Sequence, residues 1–213
     1  MFDLEIDIIR RVKSGDIKAF EEIVKKYKDK ALTLSTRILK NTEDAEDSLQ
    51  EAFIKTYRAI VDNQFEERSK FSTYFYRIVY NSAIDYYKKH KAKNFNLISI
   101  DEPHKDGDEE YDNSFVETKI DMDKYSGSSV FSTDKKTFAN EMQMLINKYL
   151  ELIPEKYSAI LTMFYINDLS HDEIAEALKL PLGTVKNRIF RAKDKLKEII
   201  LGKYSEEEIL ELI

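Results

Sequence analysis

The chain has 213 residues, of which 35% are charged and 12% aromatic, and its formal net charge is −6. Five glycines and three prolines favour helices over a turn-rich all-β fold, and the absence of cysteine excludes a disulfide framework and a thiolate metal site. No apolar run approaches the roughly 18 residues of a membrane span, the charged start MFDLEIDIIRRVKSGD has no leader pattern, and the acidic balance argues against a histone-like DNA coat.

These limits predict a soluble cytoplasmic protein of the all-α class. Ile6, Ile9 and Val12 mark a first helix that stops near Gly15. Phe20, Ile23, Val24, Tyr27, Ala31, Leu34 and Ile38 mark one long helix or a broken pair. Asn41-Thr42 followed by Glu43-Asp44 is a helix start signal. The helix that follows buries Ala45, Leu49, Ala52, Phe53, Thr56 and Ile60. Residues 62–70, DNQFEERSK, read as a polar loop, and Phe71 to about Lys91 as another helix.

That helix carries seven aromatics between positions 71 and 87. At 100° per residue, Phe75, Ile78, Val79, Ala83 and Tyr86 share a broad core face, and Tyr74, Arg77, Asn81, Asp85 and Lys88 share a narrow stripe. An aromatic, an amide and cations in one stripe suit an unstacked base and its phosphate. Tyrosines packing a further helix with wet hydroxyls would give the same pattern.

Beyond it the composition shifts. Residues 101–123 hold ten acidic and two basic residues, a net of −8, without apolar periodicity. Such a segment buries too little apolar surface to offset its ordering entropy. Periodicity returns at Phe138, Met144, Leu145, Tyr149 and Leu152, and Pro154 opens a helix with Ile160, Leu161, Phe164 and Tyr165. Two small helical domains, 1–92 and 138–203, therefore flank a flexible acidic linker at 93–137, with a tail at 204–213.

The second domain ends in SHDEIAEALKLPLGTVKNRIFRAKDK. Ser170 precedes Glu173 at capping-box spacing, and Ile174, Ala175 and Leu178 form an apolar stripe. Pro181 suits the first turn of a second helix. Val185, Ile189, Ala192 and Leu196 face its core side, leaving Lys186, Asn187, Arg188, Phe190, Arg191, Lys193 and Lys195 outward. Residues 181–203 carry a net +5, against the sign of the whole chain. A helix that reads duplex DNA needs cations for phosphates and a few directional groups for base edges. A solvated basic face is the alternative, against which the large aromatic Phe190 argues.

Taken with DAEDSLQEAFIKTYRAI (44–60), STYFYRIVYNSAIDYYKKHK (72–91) and LIPEKYSAILTMFYINDLSHDEIAEALKLPLGTVKNRIFRAKDKL (152–196), the chain resembles the bacterial RNA polymerase sigma-70 family. The likeness is strongest to its extracytoplasmic-function (ECF) group. The resemblance implies a sigma2-like and a sigma4-like helix-turn-helix domain, core RNA polymerase and promoter DNA as partners, no cofactor, no metal and no membrane insertion. An anti-sigma factor is a further partner common in the family. Asp47, Gln50 and Glu51 match its polymerase surface. Asn81 matches a position that pockets a flipped base of the −10 element, and Tyr74 stands where many members have Trp. The implied −10 contacts are Phe71, Tyr74, Arg77, Asn81, Lys88 and Lys89, with 65–71 as the base-reading loop. The implied −35 contacts are Thr184, Lys186, Asn187, Arg188, Phe190, Arg191 and Lys193, with Arg188 and Lys193 on phosphates. The family's tether runs through polymerase channels, where a −8 segment would act as a polyanion mimic. Lys179 departs from the pattern, since glycine is common at that turn.

A free-standing helix-turn-helix regulator using 170–197 would dimerise on a palindrome, and no coiled-coil heptad supports it. An enzyme of the carboxylate-bundle type needs Glu-x-x-His pairs. None of His90, His104 and His171 has a glutamate three residues before it, so a non-enzymatic role is expected.

Overall fold

The computed structural model describes residues 2–91, 149–150 and 152–202. The acidic linker and the tail lie outside the described residues, as do the periodic positions Phe138, Met144 and Leu145. The described elements all fall within one compact unit and are all helical. They are α1 Phe2–Lys13, α2 Ile17–Leu39, α3 Thr42–Val61, α4 Phe71–Lys91, α5 Glu155–Tyr165, α6 His171–Leu178 and α7 Leu182–Leu201.

Local chemistry sets most boundaries. Gly15, at φ 93, turns the chain out of α1, and Asp16 caps α2 by accepting from the Ala19 N–H at 3.2 Å. Residues 17–39 form one unbroken helix, closing the choice the periodicity left. Asn41 caps α3, accepting from the Asp44 N–H at 2.9 Å, while Glu43 and Asp44 sit in the first turn, where the helix dipole favours negative charge.

Helices α2, α3 and α4 pack against one another, and α1 lies on α2 and α3. Phe75, fully buried, is the hub of their core. Its ring lies 5.0 Å from Tyr27, 5.2 Å from Phe53 and 5.5 Å from Tyr76, centroid to centroid. Val79 and Ala83 join it as expected, whereas Ile78 and Tyr86 are only half-buried. In their place α4 buries Thr73, Tyr76, Tyr80 and Ile84, because α6 packs on α4 and α5 packs on α2.

Helices α5, α6 and α7 close the helix-turn-helix. At α6 the capping box is complete: Ser170 Oγ accepts from the Glu173 N–H at 3.2 Å, and Glu173 accepts from the Ser170 N–H at 2.8 Å. Lys179 ends α6 in the left-handed region at φ 53. The Leu180 N–H then reaches the Ala175 carbonyl at 2.9 Å and the Lys179 N–H the Glu176 carbonyl at 3.3 Å, a Schellman closure. A side chain there costs about 1–2 kcal/mol relative to glycine. Lys179→Gly is expected to stabilise the fold by about 1 kcal/mol, read as a raised melting temperature with an unchanged helical signal.

Candidate nucleic-acid interface

Three faces carry the residues singled out by sequence. The first is α7. Val185, Ile189 and Ala192 are buried, which fixes the rotation of the helix about its axis. Leu196, expected beside them, is half-buried. The rotation leaves Lys186, Asn187 and Phe190 exposed, with Phe190 at 48% exposure. Thr184, Arg188, Arg191 and Lys193 are half-buried. Lys193 Nζ sits over the Phe164 and Tyr165 rings, 5.9 and 5.5 Å from their centroids, a cation–π contact that aims it along the α5 side. Burial pushes the Tyr80 hydroxyl on α4 well above its ordinary pKa, while the charge of Arg188 pulls it down.

The second face is the α4 stripe with its preceding loop. Asn81, Asp85, Lys88 and Lys89 are exposed, and Tyr74 and Arg77 half-buried. The Tyr74 ring is held by Phe65 at 4.9 Å and by the Arg77 guanidinium at 4.9 Å. Phe71, in contrast, is 3% exposed and edges onto Tyr27 and Phe65. Its ring anchors the loop from within rather than facing solvent. Glu67 holds the loop in a left-handed turn at φ 57, and Lys13 reaches its carboxylate at 3.5 Å.

The third face is on α3. Asp47, Gln50 and Glu51 are exposed together, opposite Leu49, and Glu51 pairs with Lys55 at 2.9 Å. Ile54, 51% exposed, continues the same face one turn on. Sequence reasoning passed it over, although the spacing 47, 50, 51, 54 is itself helical.

Glu173 connects two of these faces. Besides closing the capping box, it meets Lys70, the last residue of the α4 loop, at 2.9 Å. Burial raises its pKa, but the hydrogen bonds from Lys70 and Ser170 outweigh burial and hold it below its ordinary 4.5. Its ionised form therefore supports the fold above that value and ceases to as the pH falls through the lowered one.

The chain matches the family described as Sigma-70 region 2 over residues 23–93 and Sigma-70 region 4 over residues 143–196. It is 36% identical to the ECF RNA polymerase sigma factor SigW of Bacillus subtilis, covering 89% of this chain and 93% of that protein. It is 31% identical to the RNA polymerase sigma-H factor of Pseudomonas aeruginosa, over 91% and 92% of the two chains. The ECF RNA polymerase sigma-E factor of Escherichia coli K12 is 30% identical, over 88% and 89%. Among solved structures, CnrH in complex with the cytosolic domain of CnrY shares the fold, with a TM-score of 0.59 at 17% identity over 92% of this chain and 97% of that one.

Proposed function

Because the chain belongs to the sigma-70 family and is an ECF-type RNA polymerase sigma factor, we propose how its three faces divide the work of promoter selection. On α3, Asp47, Gln50 and Glu51, with Ile54 beside them, dock on core polymerase. The α4 stripe takes a strand of the −10 element: Asn81 and Tyr74 hold an unstacked base, with Arg77, Lys88 and Lys89 near the backbone. On α7, Lys186, Asn187 and Phe190 meet base edges of the −35 element, with Thr184, Arg188, Arg191 and Lys193 on its rim. Phe71 belongs to this reading as the anchor of the 65–71 loop.

One observation carries the proposal. A single chain presents on α4 a stripe with an exposed amide and exposed lysines beside a half-buried tyrosine, and on α7 an exposed cationic face behind a helix closed by a capping box. Stacking a base on an aromatic is worth about 1–3 kcal/mol, and unstacking it from duplex costs a few kcal/mol, so several contacts hold a strand open without bond chemistry. We therefore read the chain as a non-enzymatic subunit acting where polymerase works, in the cytoplasm. Among the described residues no helix is long and apolar enough to cross a membrane. CnrH, of like fold, forms a complex with the cytosolic domain of CnrY; we read this chain as open to a protein partner, an anti-sigma factor. The domain limits 1–92, 93–137 and 138–203 are part of the proposal. A stand-alone regulator is not favoured, since the likeness spans both ends of the chain.

Run-off transcription on a random promoter library tests it. Start sites sharing two sequence elements are expected with core polymerase and this chain together, and none with either alone. Duplex binding by the isolated chain at moderate salt, with no effect on core polymerase, would return the alternative.

A further inference from the structure

The 65–71 loop faces α1 across a gap. A cavity of about 70 Å³ lies between Glu5, Ile6 and Ile9 of α1 and Phe65, Ser69 and Phe71 of the loop. Dispersion attraction is lost across such a gap, so apolar packing alone does not fix this side of the loop to the helix. A charge contact joins the same two elements. Lys13, the last residue of α1, brings its Nζ to within 3.5 Å of Glu67 Oε1, and the two side chains keep 24% and 37% of their surface exposed. The helix is a firm base for this contact: Glu5 accepts from Lys26 Nζ at 2.7 Å and from the Tyr27 hydroxyl, which pins α1 to α2.

Main-chain bonds hold only the two ends of the loop. The Gln64 and Phe65 N–H groups both reach the Ala59 carbonyl, at 2.8 and 3.2 Å, and the Lys70 carbonyl accepts from the Tyr74 N–H at 3.2 Å. Among the described residues no backbone hydrogen bond holds Glu66 to Ser69. Within that stretch Glu67 stands in the left-handed region at φ 57, a conformation that a residue with a Cβ keeps only where its surroundings impose it. Its neighbours Glu66 and Arg68 pair at 2.6 Å, yet 57% and 85% of their side-chain surface is exposed. They offer an acceptor and a donor fork, the groups that discriminate base edges.

We propose that Lys13 is a positioning residue for recognition of the −10 element. Its ammonium holds the Glu67 carboxylate, which fixes the left-handed turn and with it the direction in which Glu66 and Arg68 leave the loop. Through this contact α1, which carries no residue of the three faces, sets the base preference of a loop residue 54 positions further along the chain. The proposal rests on the reading of 65–71 as the base-reading loop, and Lys13 itself touches no DNA in it. A lysine seated on phosphate would instead weaken every promoter alike and reduce the salt slope by about one unit.

The test uses the full-length chain with core RNA polymerase, on promoters recovered from the run-off assay and changed singly at each −10 and −35 position. Lys13→Gln and Glu67→Gln are each expected to lower the preference at the same −10 base by roughly two- to fivefold, with the −35 preferences and the salt slope unchanged. The double variant should lose no more than either single one, because the two side chains act as a unit. Lys13→Glu should lose the preference as well, and adding Glu67→Lys should restore it. A merely structural defect would scale all promoters together and would not be rescued by charge reversal. Circular dichroism checks that each variant is folded. A second measurement needs no DNA: the chain has no cysteine, so a nitroxide on Arg68→Cys reports the loop directly. Its mobility should rise with Lys13→Gln and not with Lys13→Arg. Unchanged base preference in the folded Lys13→Gln protein, or uniform weakening with a reduced salt slope, would overturn the proposal. If the unaltered chain gives polymerase-dependent starts without any −10 preference, or none at all, the base-reading role of the loop fails instead, and the nitroxide still decides whether Lys13 holds the loop.

Discussion

Phe75→Ala is expected to remove about 3–5 kcal/mol of unfolding free energy, a large part of the 5–15 kcal/mol typical of a whole domain. The ring is 0% exposed and meets Tyr27, Phe53, Phe71 and Tyr76. Four large neighbours anchored on three different helices cannot all collapse into the space it leaves, so most of the cavity term persists. Denaturant titration should show a lower midpoint, and thermal melting a fall on the order of 10 °C. Phe53→Ala, at a half-buried position, should lose less. The same variant bears on function, because Phe75 fixes the rotation of α4 and hence the outward stripe of Tyr74, Arg77 and Asn81. Equal losses for Phe75→Ala and Phe53→Ala would place the core elsewhere than at this hub.

Asn187→Ala is expected to change what the chain reads rather than how tightly it binds in general. Asn187 is exposed on α7, between the equally exposed Lys186 and the half-buried Arg188. A side-chain amide can bond two edge atoms of one base, and a good bidentate contact is worth about 1–3 kcal/mol of discrimination. Transcription from promoters changed singly at each −35 position should therefore lose its preference at one base pair by roughly 5- to 150-fold. Preferences at the other positions should stand. Lys193→Ala, at a position read as a phosphate contact, should weaken all promoters alike and reduce the salt slope by about one unit. Uniform weakening by Asn187→Ala would assign that residue to the backbone instead.

The features legible in the sequence share a short range. The capping box of Ser170 and Glu173, the Asn41 cap and the 71–91 helix were readable because their partners lie within one turn, where spacing alone brings groups together. Core positions such as Ala45, Ala52, Val79, Val185 and Ile189 were readable for the same reason: one face of a helix repeats every 3.6 residues. The exposed sets on α3, α4 and α7 followed from what those core faces left over, and their roles from resemblance. Lys179 shows the limit of this range, since its left-handed φ could be suspected from the missing glycine but was set by the Schellman closure.

What the tertiary structure alone decided lies between elements. Tyr76 and Tyr80 lie on neither face that the period of α4 picked out, yet both are buried, because α6 packs on α4; and Phe71 reads like a base contact until Phe65 and Tyr27 enclose it. Lys30 and Asp168 stand 138 residues apart, and nothing in the neighbourhood of either names the other. The chain by itself determined which helices form and which sides of them are apolar, because those are local balances of caps and periodic burial. Which of the two polar sides of α4 meets protein and which meets solvent, and which lysines find carboxylates, depended on how the modules dock, because charge pairing across a docked surface leaves no periodic trace in either strand of sequence that makes it.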